Sequence, residues 1–176
     1  ILDNINNFSN DRFGNIKIKI MNGLRNLLHK KNFLIYGFGK SGNACFKFLK
    51  KKNFCKIFDD NLKNIPQKYK KNIINFKQIN KVFFDFIVLS PGIDFKKCKI
   101  SKYLIKNKAK IISELDIFHL SYPKIKKITI TGSNGKSTTS KLLFDVLKKS
   151  KKDVRLTGNI GYPILLEKNF NNNSIF

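Results

Sequence analysis

Phe33-Leu34-Ile35-Tyr36-Gly37-Phe38-Gly39-Lys40-Ser41-Gly42 decides how this chain folds. The four apolar residues read as a buried strand. Ala44, Cys45, Phe48 and Leu49 then recur at helical spacing and carry a helix to about Lys52. Between them lies a Gly-x-Gly-x-x-Gly turn. Its first glycine permits a tight reversal at positive φ, its second lets phosphate oxygens reach the backbone, and the helix start offers oriented N–H groups. The next apolar run ends at Asp59, 22 positions after Gly37, where a carboxylate can meet a ribose or similar polyol. Alone, this stretch spells an NAD(P)-binding Rossmann unit, or a tight turn that binds nothing.

The pattern repeats outward. A second strand is expected at Phe54–Phe58, a third at 72–76 and a strongly apolar fourth at 84–89, closed by Ser90-Pro91-Gly92. A helix around 98–107 precedes a short strand at 110–113. Strands alternating with helices predict an α/β fold with a Rossmann-like parallel sheet over residues 32–113. A short helix at 114–120 and Pro123 mark the passage to a second unit over 114–176: strand 127–131, loop 132–135, helix 136–149 and strand 154–156. So short a stretch cannot cover a parallel sheet on both faces, so the second unit reads as the incomplete start of a P-loop-type α/β domain. Residues 1–31 read as an N-terminal extension. The single methionine, Met21, is the expected natural start, with residues 1–20 as translated upstream sequence.

The second unit carries the stronger motif, Thr131-Gly132-Ser133-Asn134-Gly135-Lys136-Ser137-Thr138. Gly132 and Gly135 leave backbone N–H groups free to cradle phosphate oxygens, with Ser133 and Asn134 completing the loop. Lys136 is expected on the β- and γ-phosphates of ATP, and the hydroxyl of Ser137 (or Thr138) on Mg2+. Ile130 stands where the common phosphate loop has a further glycine, so this loop is a shortened one.

Composition restrains other readings. The 36 Lys+Arg against 11 Asp+Glu give a formal charge of +25, which by itself suggests a nucleic-acid partner. Only Arg12, Arg25 and Arg155 are arginine, however, and specific nucleic-acid sites favour its bidentate fork. Lys, Asn, Ile and Phe share A/T-rich codons, so a genome of low G+C content produces the same bias; no nucleic-acid partner is expected. Cys45, Cys55 and Cys98 form no CxxC pair and, with His29 and His119, no zinc pattern. Unpaired thiols fit a reduced cytoplasm. No apolar run approaches the roughly 20 residues of a membrane span, and no signal peptide is expected in the N-terminal segment, which is interrupted by asparagines.

Two further turns follow strand ends: Ser90-Pro91-Gly92-Ile93 and Gly158-Asn159-Ile160-Gly161-Tyr162-Pro163. In order, these motifs, the glycine turn at 37–42, the Glu114-Leu115 pair and the loop at 131–138 resemble the Mur ligases, specifically the UDP-N-acetylmuramoyl-L-alanine:D-glutamate ligase family, over residues 32–166. The resemblance implies that the first domain binds UDP rather than a dinucleotide. Lys40 and Ser41 would meet the phosphates through backbone and hydroxyl groups, and Asp59 would lie by the uracil–ribose end. Gly37, Gly39, Gly42, Ser90, Pro91 and Gly92 would line the crevice. Asp60 and Asn61 depart from the small hydroxyl and basic residues the family often has there. In the second domain the resemblance implies ATP on 132–138 and the muramoyl-alanine substrate on Asn159.

The implied reaction phosphorylates the alanyl carboxylate, and the amine of D-glutamate displaces phosphate, a cytoplasmic step of peptidoglycan synthesis serving cell shape and division. A monomer is expected, with no membrane partner. The family's metal-binding Glu and His, its carbamylated lysine and its amino-acid domain would lie beyond Phe176, so this polypeptide alone is not expected to ligate. Another Mur ligase or a folylpolyglutamate synthase-like ligase is the nearest alternative.

Overall fold

A computed structural model describes residues 27–158 and 161–176. The expectations for residues 1–26, including the start at Met21, and for Asn159 lie outside the described residues.

Four parallel strands build the sheet: β1 (Asn32–Tyr36), β2 (Phe54–Phe58), β3 (Phe86–Leu89) and β4 (Ile111–Ile112), in spatial order β2-β1-β3-β4. Asn32 pairs with Phe54 and Tyr36 with Phe58 on one side of β1, and Phe33 pairs with Phe86 on the other. Ile87 then pairs with Ile111. The α/β, Rossmann-like class read from the sequence is the one the chain adopts. Because side chains alternate along a strand, Phe33 and Ile35 enter one core cluster while Leu34 and Tyr36 enter the other.

Helices cover both faces. On the first, α1 (Lys40–Leu49) contributes Ala44, Cys45, Phe46 and Leu49. On the second, Ile79 from the short α2 (Phe76–Ile79) and Leu104 from α3 (Ser101–Lys106) pack over Tyr36 and Ile87. Helix α4 (Glu114–Ser121) returns to the first face with Ile117 and Phe118. Ile164, Leu165 and Phe176 join this same cluster, so residues on both sides of the 113/114 boundary share one core.

Three expected strands do not form. At 72–76, only Ile73 bridges Ile57; Asn75 then accepts from the Gln78 amide at 3.0 Å and starts α2. Gln78 returns the bond to the Asn75 amide at 3.2 Å, a capping box that turns the chain away from the sheet edge. At 127–131 and 154–156 no ladder exists. Lys126 and Val154 each make a single parallel bridge to Ile175. The Ile128 amide donates to the Phe176 carbonyl at 2.7 Å, and the Ile175 amide to the Asp153 carbonyl at 2.8 Å. The terminal residues therefore lie between the two segments expected to be strands, and a strand needs a longer run of partners than one bridge supplies. The fourth strand begins two residues later than expected, because the Asp85 carboxylate accepts from the Asn32 amide at 2.8 Å and anchors the sheet's end.

Helix α5 (Lys136–Lys149) matches its expected span, with Gly135 as its N-cap in the left-handed conformation (φ 75°) and Lys148 and Lys149 in its last turn. None of its residues is buried.

Candidate functional site

The chain reverses its winding direction at β1, whose neighbours β2 and β3 lie on opposite sides. In an open α/β sheet that switch point, at the carboxyl ends of the strands, is where a ligand crevice opens. Here it gathers Gly37 through Gly42 after β1, Asp59 and Asp60 after β2, and Ser90 through Gly92 after β3.

Each glycine has its own reason. Gly37 (φ 88°) sits beneath Ser90, whose Cβ would be 2.8 Å from a Cβ placed there. A Cβ on Gly42 would meet the Gly37 carbonyl oxygen at 1.8 Å, so α1 rests directly on the turn. Gly39 faces open space, with no atom within 4 Å of its virtual Cβ. No side chain caps α1 at Gly39, and its first turn carries no acidic residue. The arrangement suits an anion approaching the helix start.

The polar residues around the turn brace it. Asp59, only 9% exposed, accepts from the Phe38 amide at 2.5 Å and the Asn61 amide at 2.7 Å. The Ser90 hydroxyl donates to the Gly37 carbonyl at 2.7 Å, and its amide to Tyr36 at 3.0 Å. Asp60, the extra carboxylate, has its own partners: the Tyr36 hydroxyl donates to it at 2.8 Å and the Lys99 ammonium lies 3.8 Å away. Burial, then that hydrogen bond, pushes the Tyr36 phenol well above its usual range. Lys40, Pro91 and Gly92 are exposed at the rim.

The sequence reading gave no role to Tyr36 or Lys99, and it used Glu114 only as part of a motif. Yet the Ser41 hydroxyl donates to Glu114 Oε2, while Glu114 Oε1 accepts from the Leu165 amide at 3.3 Å. The available signal was helical: Ser113 and Asp116 form the capping box that begins α4, which fixes Glu114 at its first residue.

The second loop is assembled at the start of α5. Gly132 (φ 149°) and Gly135 hold it open, and the Lys136 ammonium donates to the carbonyls of Gly132 and, at 3.0 Å, Ser133. The ammonium is thus drawn over the loop. Ser133, Asn134, Ser137 and Thr138 are exposed, and neither a side-chain cap nor an acidic residue occupies the helix start. Among the described residues no cluster of three or more His, Cys, Asp or Glu could hold a metal, and no helix is long and apolar enough to cross a membrane.

No protein-family model matches the chain. Individual relatives do. The UDP-N-acetylmuramoylalanine–D-glutamate ligase of Rickettsia bellii is 35% identical over 146 residues, 80% of this chain and 32% of the relative. That of Wolbachia pipientis is 33% identical over 147 residues, again 80% of this chain and 29% of the relative. The Aquifex aeolicus ligase is 35% identical over 131 residues, 74% of this chain and 29% of its own. By sequence, this chain is similar over about four fifths of its length to UDP-N-acetylmuramoylalanine–D-glutamate ligases. The chain spans about a third of the length of these relatives. Asp59 and Ser90 brace the glycine turn, and Glu114 joins the start of α4 to the segment after 158–163.

Proposed function

We propose that the chain supplies the UDP-binding domain and the ATP loop of a ligase that joins D-glutamate to UDP-N-acetylmuramoyl-L-alanine in peptidoglycan synthesis. The observation that carries this reading is the union, in one chain, of an open glycine at the sheet's switch point with a Gly-Lys-Ser-Thr loop at a helix start. Kinship with ligases bearing that name supports the choice of substrate.

In this reading the diphosphate of the UDP substrate lies over Gly39, against the first-turn amides of α1 and the Lys40 ammonium. Asp59 holds the turn in shape through the Phe38 amide and lies towards the ribose. ATP lies on residues 132–138. Lys136 turns from its loop carbonyls to the β- and γ-phosphates, where an ammonium reduces the repulsion between a carboxylate nucleophile and a polyphosphate. The exposed hydroxyls of Ser137 and Thr138 fit a magnesium ion, which supplies further charge neutralisation when bound.

The alanyl carboxylate oxygen attacks the γ-phosphorus and ADP leaves. The D-glutamate amine then attacks the acyl carbon, loses a proton and displaces inorganic phosphate. The chain spans about a third of the relatives' length, and ligation is proposed for the whole protein.

A thermal-shift titration separates this reading from a nicotinamide-binding one. UDP-N-acetylmuramoyl-L-alanine should raise Tm and NAD should not. Stabilisation by NAD alone would replace the ligase reading with the rival.

A further inference from the structure

Glu114 stands where three elements meet. It is the first residue of α4, its Oε2 accepts from Ser41 in the first turn of α1, and its Oε1 accepts from Leu165 in the 3-10 turn Ile164–Leu166. That turn directly follows the 158–163 motif. Ile164 and Leu165 are buried in the same cluster as Ala44 and Cys45 of α1 and Ile117 of α4, so the carboxylate closes the polar edge of an apolar contact. Its charge also favours the α4 N-terminus, and hydrogen bonds to an ionised acceptor are the stronger kind.

The Ser41 hydroxyl has one proton, and it is directed at Glu114. A phosphate bound at this turn therefore meets backbone amides and Lys40, while Ser41 serves as a tether.

We propose that Glu114 is a positioning residue that holds the glycine turn at 37–42 and the segment after the 158–163 motif in one fixed relation. A substrate long enough to touch both then meets a preorganised site. This inference rests on the ligase reading above, which supplies a ligand with a UDP end and a muramoyl-alanyl end. Preorganisation strengthens binding by lowering the ordering cost at association. The tether therefore adds affinity only to a ligand that spans both loops.

The test compares UDP with UDP-N-acetylmuramoyl-L-alanine by calorimetry on the whole chain and its Glu114→Ala and Glu114→Gln variants. Glu114→Ala should weaken the longer ligand about tenfold, the scale of one hydrogen bond to a charged group. UDP affinity should stay within about twofold, which also shows that the fold persists. Glu114→Gln, which keeps an acceptor oxygen, should recover part of the loss. In a double-mutant cycle, Ser41→Ala should add little to Glu114→Ala, because both cut the same tie. Without ligand, amide exchange at Leu165 should quicken in Glu114→Ala.

Equal loss for both ligands, no loss for either, or unchanged exchange at Leu165 would overturn the tether. A wild-type chain that binds neither ligand overturns the ligase reading itself, and that result is seen before any variant is made.

Discussion

At the residue scale, glycines with the same motif role have different physical ones. Gly42→Ala places a Cβ 1.8 Å from a backbone oxygen, and only movement of α1 away from the turn relieves it. It should cost about 1–3 kcal/mol or more in a denaturant titration. Gly39→Ala meets nothing at an ordinary φ of −70°, so it should leave stability within about 0.5 kcal/mol while weakening UDP binding. Equal stability losses in the two variants would show that Gly39 is packed rather than open. The spacing of these glycines was legible in the sequence, but the division of labour was not, because it depends on Ser90 and Gly37 arriving from different strands.

The buried thiols give a pH dependence whose sign can be worked out. Burial raises Cys55 from 9.0 to about 12, so the folded chain keeps a proton that the unfolded chain has released in between. Its contribution is whole below pH 9 and is lost as pH rises through about 12, at up to about 1.4 kcal/mol per pH unit. Burial, then the Glu114 charge, raises Cys45 in the same direction, whereas burial lowers Lys127 and opposes the trend. Unfolding midpoints measured from pH 8 to 11 should fall, and Cys55→Ala should show a shallower decline. An unchanged slope in that variant would assign the loss to other groups.

At the scale of elements, β1, β2 and α5 were legible because local chemistry decides them: apolar runs bounded by glycine, and a glycine-started helix closed by lysines. The segments at 127–131 and 154–156 have strand-like composition, yet their pairing is limited to single bridges from Lys126, just before the first, and Val154 to Ile175. Asn75 and Gln78 likewise ended an expected strand by capping each other, a local bond that apolar patterning does not register. Packing also differs among elements. Phe46 in α1 is fully buried, so Phe46→Ala should cost about 3–5 kcal/mol. Leu142 and Val146 in α5 are 62% and 59% exposed, and Leu142→Ser should stay within about 0.5 kcal/mol. Chemical denaturation of both variants checks the contrast, and a large loss for Leu142→Ser would mean that α5 is packed in solution.

At the scale of the molecule, the sheet's switch point gathers the candidate site residues from three strand ends, and Glu114 links the glycine turn to the segment after 158–163. The overall α/β order was readable from alternating apolar runs and helical periods. The tie was not, because it joins residues 73 and 51 positions apart through one carboxylate. The uncapped start of α1, with no acidic residue in its first turn, is the feature on which the proposed diphosphate site rests.

The most direct test of that claim follows the backbone amides of the isotopically labelled chain by NMR while UDP-N-acetylmuramoyl-L-alanine is added. Saturable shifts are expected to concentrate at the amides of Gly39 through Gly42 and of Ser90 and Gly92. Shifts absent from those amides, or spread over the surface lysines and abolished by moderate salt, would contradict it.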